Sequence, residues 1–244
     1  FSPDGREVYW SPMSTVATWG SIYFMRFEND KWTEPQQPLF TIGYYDNSPA
    51  FSPDGKRLFF KRKADDGTAA LNLHCVEKTA DGWSTPVKLP DAVNSIRING
   101  EVSVAANGDL YFGGIPNDKD YYADIYVAAL VDGEYAKATR LGSTVNSDDP
   151  VVTEASPYVA KDGSYLLFTR LASDANSDLY VSFKQSDGSW GQSVKFGSTV
   201  SGPSNEMCPW VSSDGKYLFS LSSRNSSMQP YWVDAKIIEG LRPR

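Results

Sequence analysis

The chain has 244 residues, with 30 acidic against 23 basic side chains, a formal net charge of -7 and 14% aromatic residues. That negative balance argues against nucleic-acid binding, which needs a positive footprint, and no apolar run is long enough to cross a membrane as a helix. Two cysteines and one histidine, dispersed along the chain, cannot build a tetrahedral zinc site without carboxylates, and no cofactor motif is present: no Gly-x-Ser-x-Gly, no phosphate-binding Gly-rich loop and no metal-binding His pattern.

Five tight turns punctuate the chain, at Asp4-Gly5, Asp54-Gly55, Asn107-Gly108, Asp162-Gly163 and Asp214-Gly215, in steps of 50, 53, 55 and 52 residues. Asp-Gly and Asn-Gly suit tight hairpins because both residues tolerate positive φ. A period near fifty with short β runs in each unit is the signature of a β-propeller. In unit 1 (1–40) the turn is followed by the strand Glu7-Val8-Tyr9-Trp10, a third strand at Ile22-Tyr23-Phe24 and an outer strand around Trp32 and Leu39. Unit 2 (46–90) repeats this as an inner strand Ser48-Pro49-Ala50-Phe51, then Arg57-Leu58-Phe59-Phe60, Leu71-Asn72-Leu73, Trp83 and Leu89. Unit 3 (99–142) continues with Asp109-Leu110-Tyr111-Phe112, Ile125-Tyr126-Val127, Tyr135 and Leu141, and unit 4 (154–197) with Ser156-Pro157-Tyr158-Val159, Tyr165-Leu166-Leu167-Phe168, Leu179-Tyr180-Val181, Trp190 and Phe196. Unit 5 (206–244) carries Cys208-Pro209-Trp210-Val211, Tyr217-Leu218-Phe219 and Tyr231-Trp232-Val233, then one or two helical turns over Asp234 to Leu241 in place of an outer strand.

The strands after the turns are too apolar to be wetted on one side, so blade packs on blade. Four antiparallel strands per unit follow, in a single all-β domain over residues 1–244 with no linker. Five blades are expected, with six as the alternative. Phe1 aligns with Phe51, so the chain is read as an N-terminally truncated fragment in which upstream residues supply the missing inner strand and any secretion signal. The outer aromatics Trp32, Trp83 and Trp190 are expected to be structural, each covering the rim of its own blade.

The run Phe51-Ser52-Pro53-Asp54-Gly55-Lys56-Arg57-Leu58-Phe59-Phe60 resembles the Pro-Asp-Gly core of the WD40-like repeat of TolB-like propellers, the periplasmic Tol-system family, and of many bacterial envelope proteins. Phe1 to Tyr9 carries the same core, Lys161-Asp162-Gly163 and Ser213-Asp214-Gly215 keep the turn, and Ala106-Asn107-Gly108 departs further. The resemblance spans all five units. It implies the fold and a periplasmic or envelope location, and it carries over no catalytic residues, because this repeat is a structural device.

Polar candidates stand eight residues before the turns: Asp46, Asn99, Glu154 and Glu206, with Glu101 beside Asn99. In a propeller they begin inner strands near one mouth of the axial channel. There they either bind a ligand, supply an acid and a base as in a glycosidase, or pin blades together by accepting backbone hydrogen bonds. Asp174, Asn176 and Asp178 mimic the opening of a calcium loop without its Gly and distal Glu, as Asp118, Asp120 and Asp124 do less well, and a solvated turn is the better reading. Cys75 and Cys208 fall in non-adjacent units and are expected to be free buried thiols. His74 sits beside Cys75 on a strand, so the two point to opposite faces. The function expected is a non-catalytic, monomeric protein- or glycan-interaction module without cofactor; the alternative is a carbohydrate-active enzyme using the channel-mouth carboxylates.

Overall fold

A computed structural model describes residues 1–12, 21–64, 70–116, 122–172 and 176–243. Five antiparallel blades follow one another round an axis, and a separate two-stranded pair, Leu130–Val131 with Glu134–Tyr135, stands beside the third. Three are complete blades: Asp46–Phe51, Arg57–Lys63, Leu71–Thr79 and Val87–Lys88 form blade 2; Arg97–Val104, Leu110–Ile115, Asp124–Ala128 and Thr139–Arg140 form blade 3; Thr153–Val159, Tyr165–Leu171, Ser177–Phe183 and Val194–Lys195 form blade 4. Blade 1 has three strands, Glu7–Trp10, Tyr23–Glu28 and Lys31–Trp32, and blade 5 has Glu206–Val211, Tyr217–Ser222 and Gln229–Asp234 followed by the helical turn Lys236–Glu239. Among the described residues no helix is long and apolar enough to cross a membrane.

The turns work as their composition requires. Gly5, Gly55, Gly163 and Gly215 stand at φ between +70° and +72°, where a side chain would be strained. The preceding aspartate accepts the backbone N–H two residues on, from Arg6, Lys56, Ser164 and Lys216 respectively, at 3.0 to 3.1 Å. Asn107 does the same for Asp109 in the third turn, so the departure from Asp-Gly keeps the local bond.

One packing rule repeats from seam to seam. The face carrying Tyr9 in blade 1, Phe59 in blade 2, Tyr111 in blade 3 and Leu167 in blade 4 lies against Leu58 and Phe60, Leu110 and Phe112, Leu166 and Phe168, and Leu218 of the following blade. Among the described residues no such cluster joins blade 5 to blade 1. Trp232 of blade 5 is 62% exposed, although its counterparts Phe24, Cys75 and Val181 are 8%, 9% and 0% exposed. Blades 1 and 5 approach each other at their turns, where a Cβ on Gly5 would lie 3.5 Å from Ser213 Oγ.

Two expectations need correction. The outer aromatics do not cover their own blades alone: Trp83 lies edge-on to Tyr9 of blade 1, and Trp190 lies edge-on to Tyr111 of blade 3. Each ring sits in the connection between the third strand and the short outer strand, Trp83 in the pair Gly82–Trp83 and Trp190 in its bridge to Lys184, and from there it falls onto the face of the preceding blade. Trp32 instead packs against Phe27 and Phe1 and is 38% exposed. Both cysteines are free, but only Cys75 is buried; Cys208 is half-buried because it sits on an inner strand at the axis.

Candidate functional site at the propeller axis

The acids that open the inner strands are not gathered at an open mouth. Asp46, Glu154 and Glu206 are each 0% exposed. Asp46 lies opposite Arg62 in the strand register and is held by both Arg62 Nε and Nη2, at 2.8 and 2.7 Å. Glu154 lies opposite Arg170, takes Arg170 Nε at 2.7 Å and accepts the Ser147 backbone N–H. Glu206 lies opposite Ser222, accepts its hydroxyl at 2.9 Å, and accepts the Gly202 backbone N–H.

In all three blades an arginine completes the unit by donating to a carbonyl in the chain that enters the blade: Arg62 to Phe40, Arg170 to Val145 and Arg224 to Val200. Each guanidinium also lies over a tyrosine ring, of Tyr44, Tyr180 and Tyr231, a geometry that favours Arg over Lys. A buried carboxylate needs such partners. Burial still pushes the Glu154 carboxyl above its ordinary range, against the pull of Arg170 and its other hydrogen bonds.

Asn99 is exposed and lies opposite Gly113, so it does not join these units. Glu101 departs from them in another direction: Ser156 of the next blade donates its hydroxyl to Glu101 Oε2. Of the metal candidates, Asp174, Asp118 and Asp120 lie outside the described residues. Asn176 donates to the Pro203 carbonyl, Asp178 pairs with Lys195 and Asp124 with Arg140. His74 stacks on Phe60 at a blade face, with burial pushing its imidazole below the ordinary value.

At the opposite end, behind the Asp-Gly turns, all five blades contribute to one axial mouth of about 200 Å³. Phe1 and Pro3, Phe51 and Pro53, Val102 and Val104, Tyr158 and Lys161, and Trp210 and Ser212 line it. Its surface is mainly apolar, with serine and lysine at intervals. Such a mix of aromatic faces and sparse polar groups is what small concave binding sites present.

Sequence reading missed two features. Asn94 and Asn146 bind both the N–H and the C=O of a third-strand residue, Leu73 and Ile125, and stitch the interblade crossing to the sheet. The repeated Val93-Asn94 and Val145-Asn146 pairs were the available signal. The second feature is the middle of the axis, where Lys61, Glu101, Ser156 and Cys208 meet from four blades. Lys61 and Glu101 stand where the repeat elsewhere has other residue types, and that departure was legible.

These sheets, turns and the axial arrangement define a β-propeller. Within that class the fold is TolB-like. TolB from Acinetobacter baumannii superposes with a TM-score of 0.62 at 15% identity over 96% of this chain. A putative TolB from Agrobacterium tumefaciens gives 0.64 at 17% identity, also over 96%. The chain spans 50% and 75% of the length of those two proteins. The Pseudomonas aeruginosa periplasmic gluconolactonase PpgL is similar at 0.53 and 15% identity, over 93% of this chain and 67% of that protein. No family model and no curated protein matches the sequence.

Proposed function

We propose that the protein is a non-catalytic interaction module that receives a protein segment or glycan in the axial mouth behind the Asp-Gly turns, as a monomer in the bacterial envelope. The observation that carries this reading is the contrast between the two ends of the axis. One end spends its carboxylates on guanidinium, hydroxyl and backbone partners; the other is a cleft built by five blades and lined by the half-buried rings of Phe51, Tyr158 and Trp210. Acid–base catalysis by a carboxyl pair needs groups free to reach a substrate. Aromatic faces bind apolar side chains and sugar rings equally well. The envelope location draws on the resemblance to TolB and on the periplasmic lactonase among the similar structures.

The test is an array of peptides and glycans probed with the parent, with Trp210→Ala and with Glu154→Gln, beside a glycoside hydrolysis screen. Binding lost in Trp210→Ala at retained folding supports the reading. Hydrolysis by the parent that disappears in a normally stable Glu154→Gln overturns it.

A further inference from the structure

Each complete inner strand is broken by a bulge at the same level of the axis. The register shifts fall between Asn47 and Ala50, between Ala155 and Tyr158 and between Met207 and Trp210, and opposite them between Phe112 and Gly113. The bulge residues Ser48, Ser156 and Cys208 stand at φ +54°, +52° and +53°, and Gly100 at +78°. Three non-glycine residues in the left-handed region at one level store strain, and such strain concentrates at ligand sites.

The residue facing the bulge from the second strand is uncharged in the other four blades: Ser11, Gly113, Thr169 and Leu221. Ser11 accepts the Ser48 N–H through its hydroxyl, and Thr169 accepts the Cys208 N–H. The register places Lys61 at the corresponding position of blade 2, opposite Asn47 as Thr169 is opposite Ala155. Lys61 is 6% exposed and makes neither a hydrogen bond nor an ion pair among the described residues. Its charge is felt instead by Glu101 of blade 3 and Cys208 of blade 5, which only the axis brings together. Glu101 breaks the repeat as well. Where blades 2, 4 and 5 follow the bulge residue with Pro49, Pro157 and Pro209, blade 3 has Glu101.

An ammonium on a side chain only 6% exposed and without a hydrogen-bonded partner is costly to keep charged, at a position where the sister blades carry a hydroxyl, a glycine or a leucine. We propose that Lys61 anchors a monocarboxylate ligand in the middle of the axial channel, with the Glu101–Ser156 pair forming the opposite wall. Three N–H groups of Lys61 await an acceptor. The negative charge of Glu101 beside them leaves the site with no net charge, which favours a monoanion over a phosphate dianion. Desolvation already lowers the Lys61 ammonium below its ordinary value, and a bound carboxylate reverses that. This site lies deeper along the axis than the apolar mouth and does not depend on what the mouth binds.

The test is thermal unfolding of the full chain with acetate and gluconate, against chloride at matched ionic strength and against phosphate, for the parent and for Lys61→Thr. A ligand that binds the folded state raises the melting temperature. The expected result is a carboxylate-dependent rise in the parent, less with phosphate, and its loss in Lys61→Thr, whose ligand-free melting temperature equals or exceeds the parent's because threonine occupies this position in blade 4 and removes the unpartnered charge. In a second measurement that needs no variant, gluconate slows reductive methylation of Lys61 in the parent, followed by peptide mass spectrometry. No carboxylate response in the parent, a response kept in Lys61→Thr, an equal response to phosphate, or methylation that gluconate leaves unchanged would each overturn the proposal.

Discussion

The indole Nε1 of Trp83 in blade 2 donates to the hydroxyl of Tyr9 in blade 1 at 2.9 Å, joining the turn before the outer strand to the face of the preceding blade. Phe51 lies edge-on to Tyr9 and tilted to Trp83, so the hydrogen bond closes an aromatic cluster across the seam. Trp83→Ala is expected to cost about 3 kcal/mol, the lower end for a large aromatic, because Trp83 is only partly buried. Tyr9→Phe removes only the hydroxyl and should cost about 1 kcal/mol. Urea titration of both variants and of their combination checks the pairing, since partners in contact are non-additive. Strictly additive losses would show that the two residues act separately.

The turns predict an acid limb of stability. A serine hydroxyl, from Ser2, Ser52, Ser164 and Ser212 respectively, is the largest influence holding Asp4, Asp54, Asp162 and Asp214 below the ordinary carboxylate range, and Asp214 is brought to about 2. A carboxyl lowered on folding contributes stability that is present above its unfolded value and lost as pH falls through the folded one. Glu154 is raised by burial, so its contribution runs the other way: present below the unfolded glutamate value and lost as pH rises through the folded one. Asp187 and Glu239 are lowered as well, by Ser189 and Arg242, so with six groups against one, stability should fall as pH drops below about 4. Asp54→Asn keeps the turn bond, as Asn107 does naturally, and should flatten the melting-temperature curve between pH 4 and pH 2. An unchanged acid limb would show that the turns do not govern it.

The repeat made most of the fold legible, because each Asp-Gly turn announces itself through residues that tolerate positive φ and each following strand through apolar runs buried on both faces. Leu58-Phe59-Phe60 and Leu166-Leu167-Phe168 are all 0% exposed. The site was less legible. Spacing placed Asp46, Glu154 and Glu206 at equivalent positions correctly, but their chemistry depends on Arg62, Arg170 and Ser222, which only the strand register sets opposite them. The destination of Trp83 was hidden for a related reason: it packs on Tyr9, 74 residues away, and only the order of blades in space brings the two together.

Gly113 tests how tightly blade 3 closes on the axis. A Cβ there would collide with the Asn99 carbonyl oxygen, which is backbone and cannot rotate away. Gly113→Ala is therefore expected to destabilise by about 3 kcal/mol or more through overpacking. Gly142→Ala is the control, since a Cβ there meets nothing within 4 Å and no positive φ is involved. Equal melting temperatures for the two variants would contradict the close approach of the second strand to the bulge.

The acid units make the final prediction. Glu206→Gln keeps the shape but replaces one acceptor oxygen by a donor, so either the Ser222 hydroxyl or the Gly202 N–H loses its partner in a fully buried place. Glu154 holds both Arg170 and the Ser147 N–H on one oxygen, so Glu154→Gln can keep both bonds and instead removes the charge facing Arg170 and buries an amide NH2 without a partner where the second oxygen stood. Each lost partner should cost about 1 to 3 kcal/mol. The two units belong to different blades and share no partner, so the double variant should lose the sum of the single effects within about 0.5 kcal/mol. Denaturant unfolding measures all three. Variants as stable as the parent would mean that these carboxylates are not needed to hold the entering chain to its blade, and that their burial has another purpose.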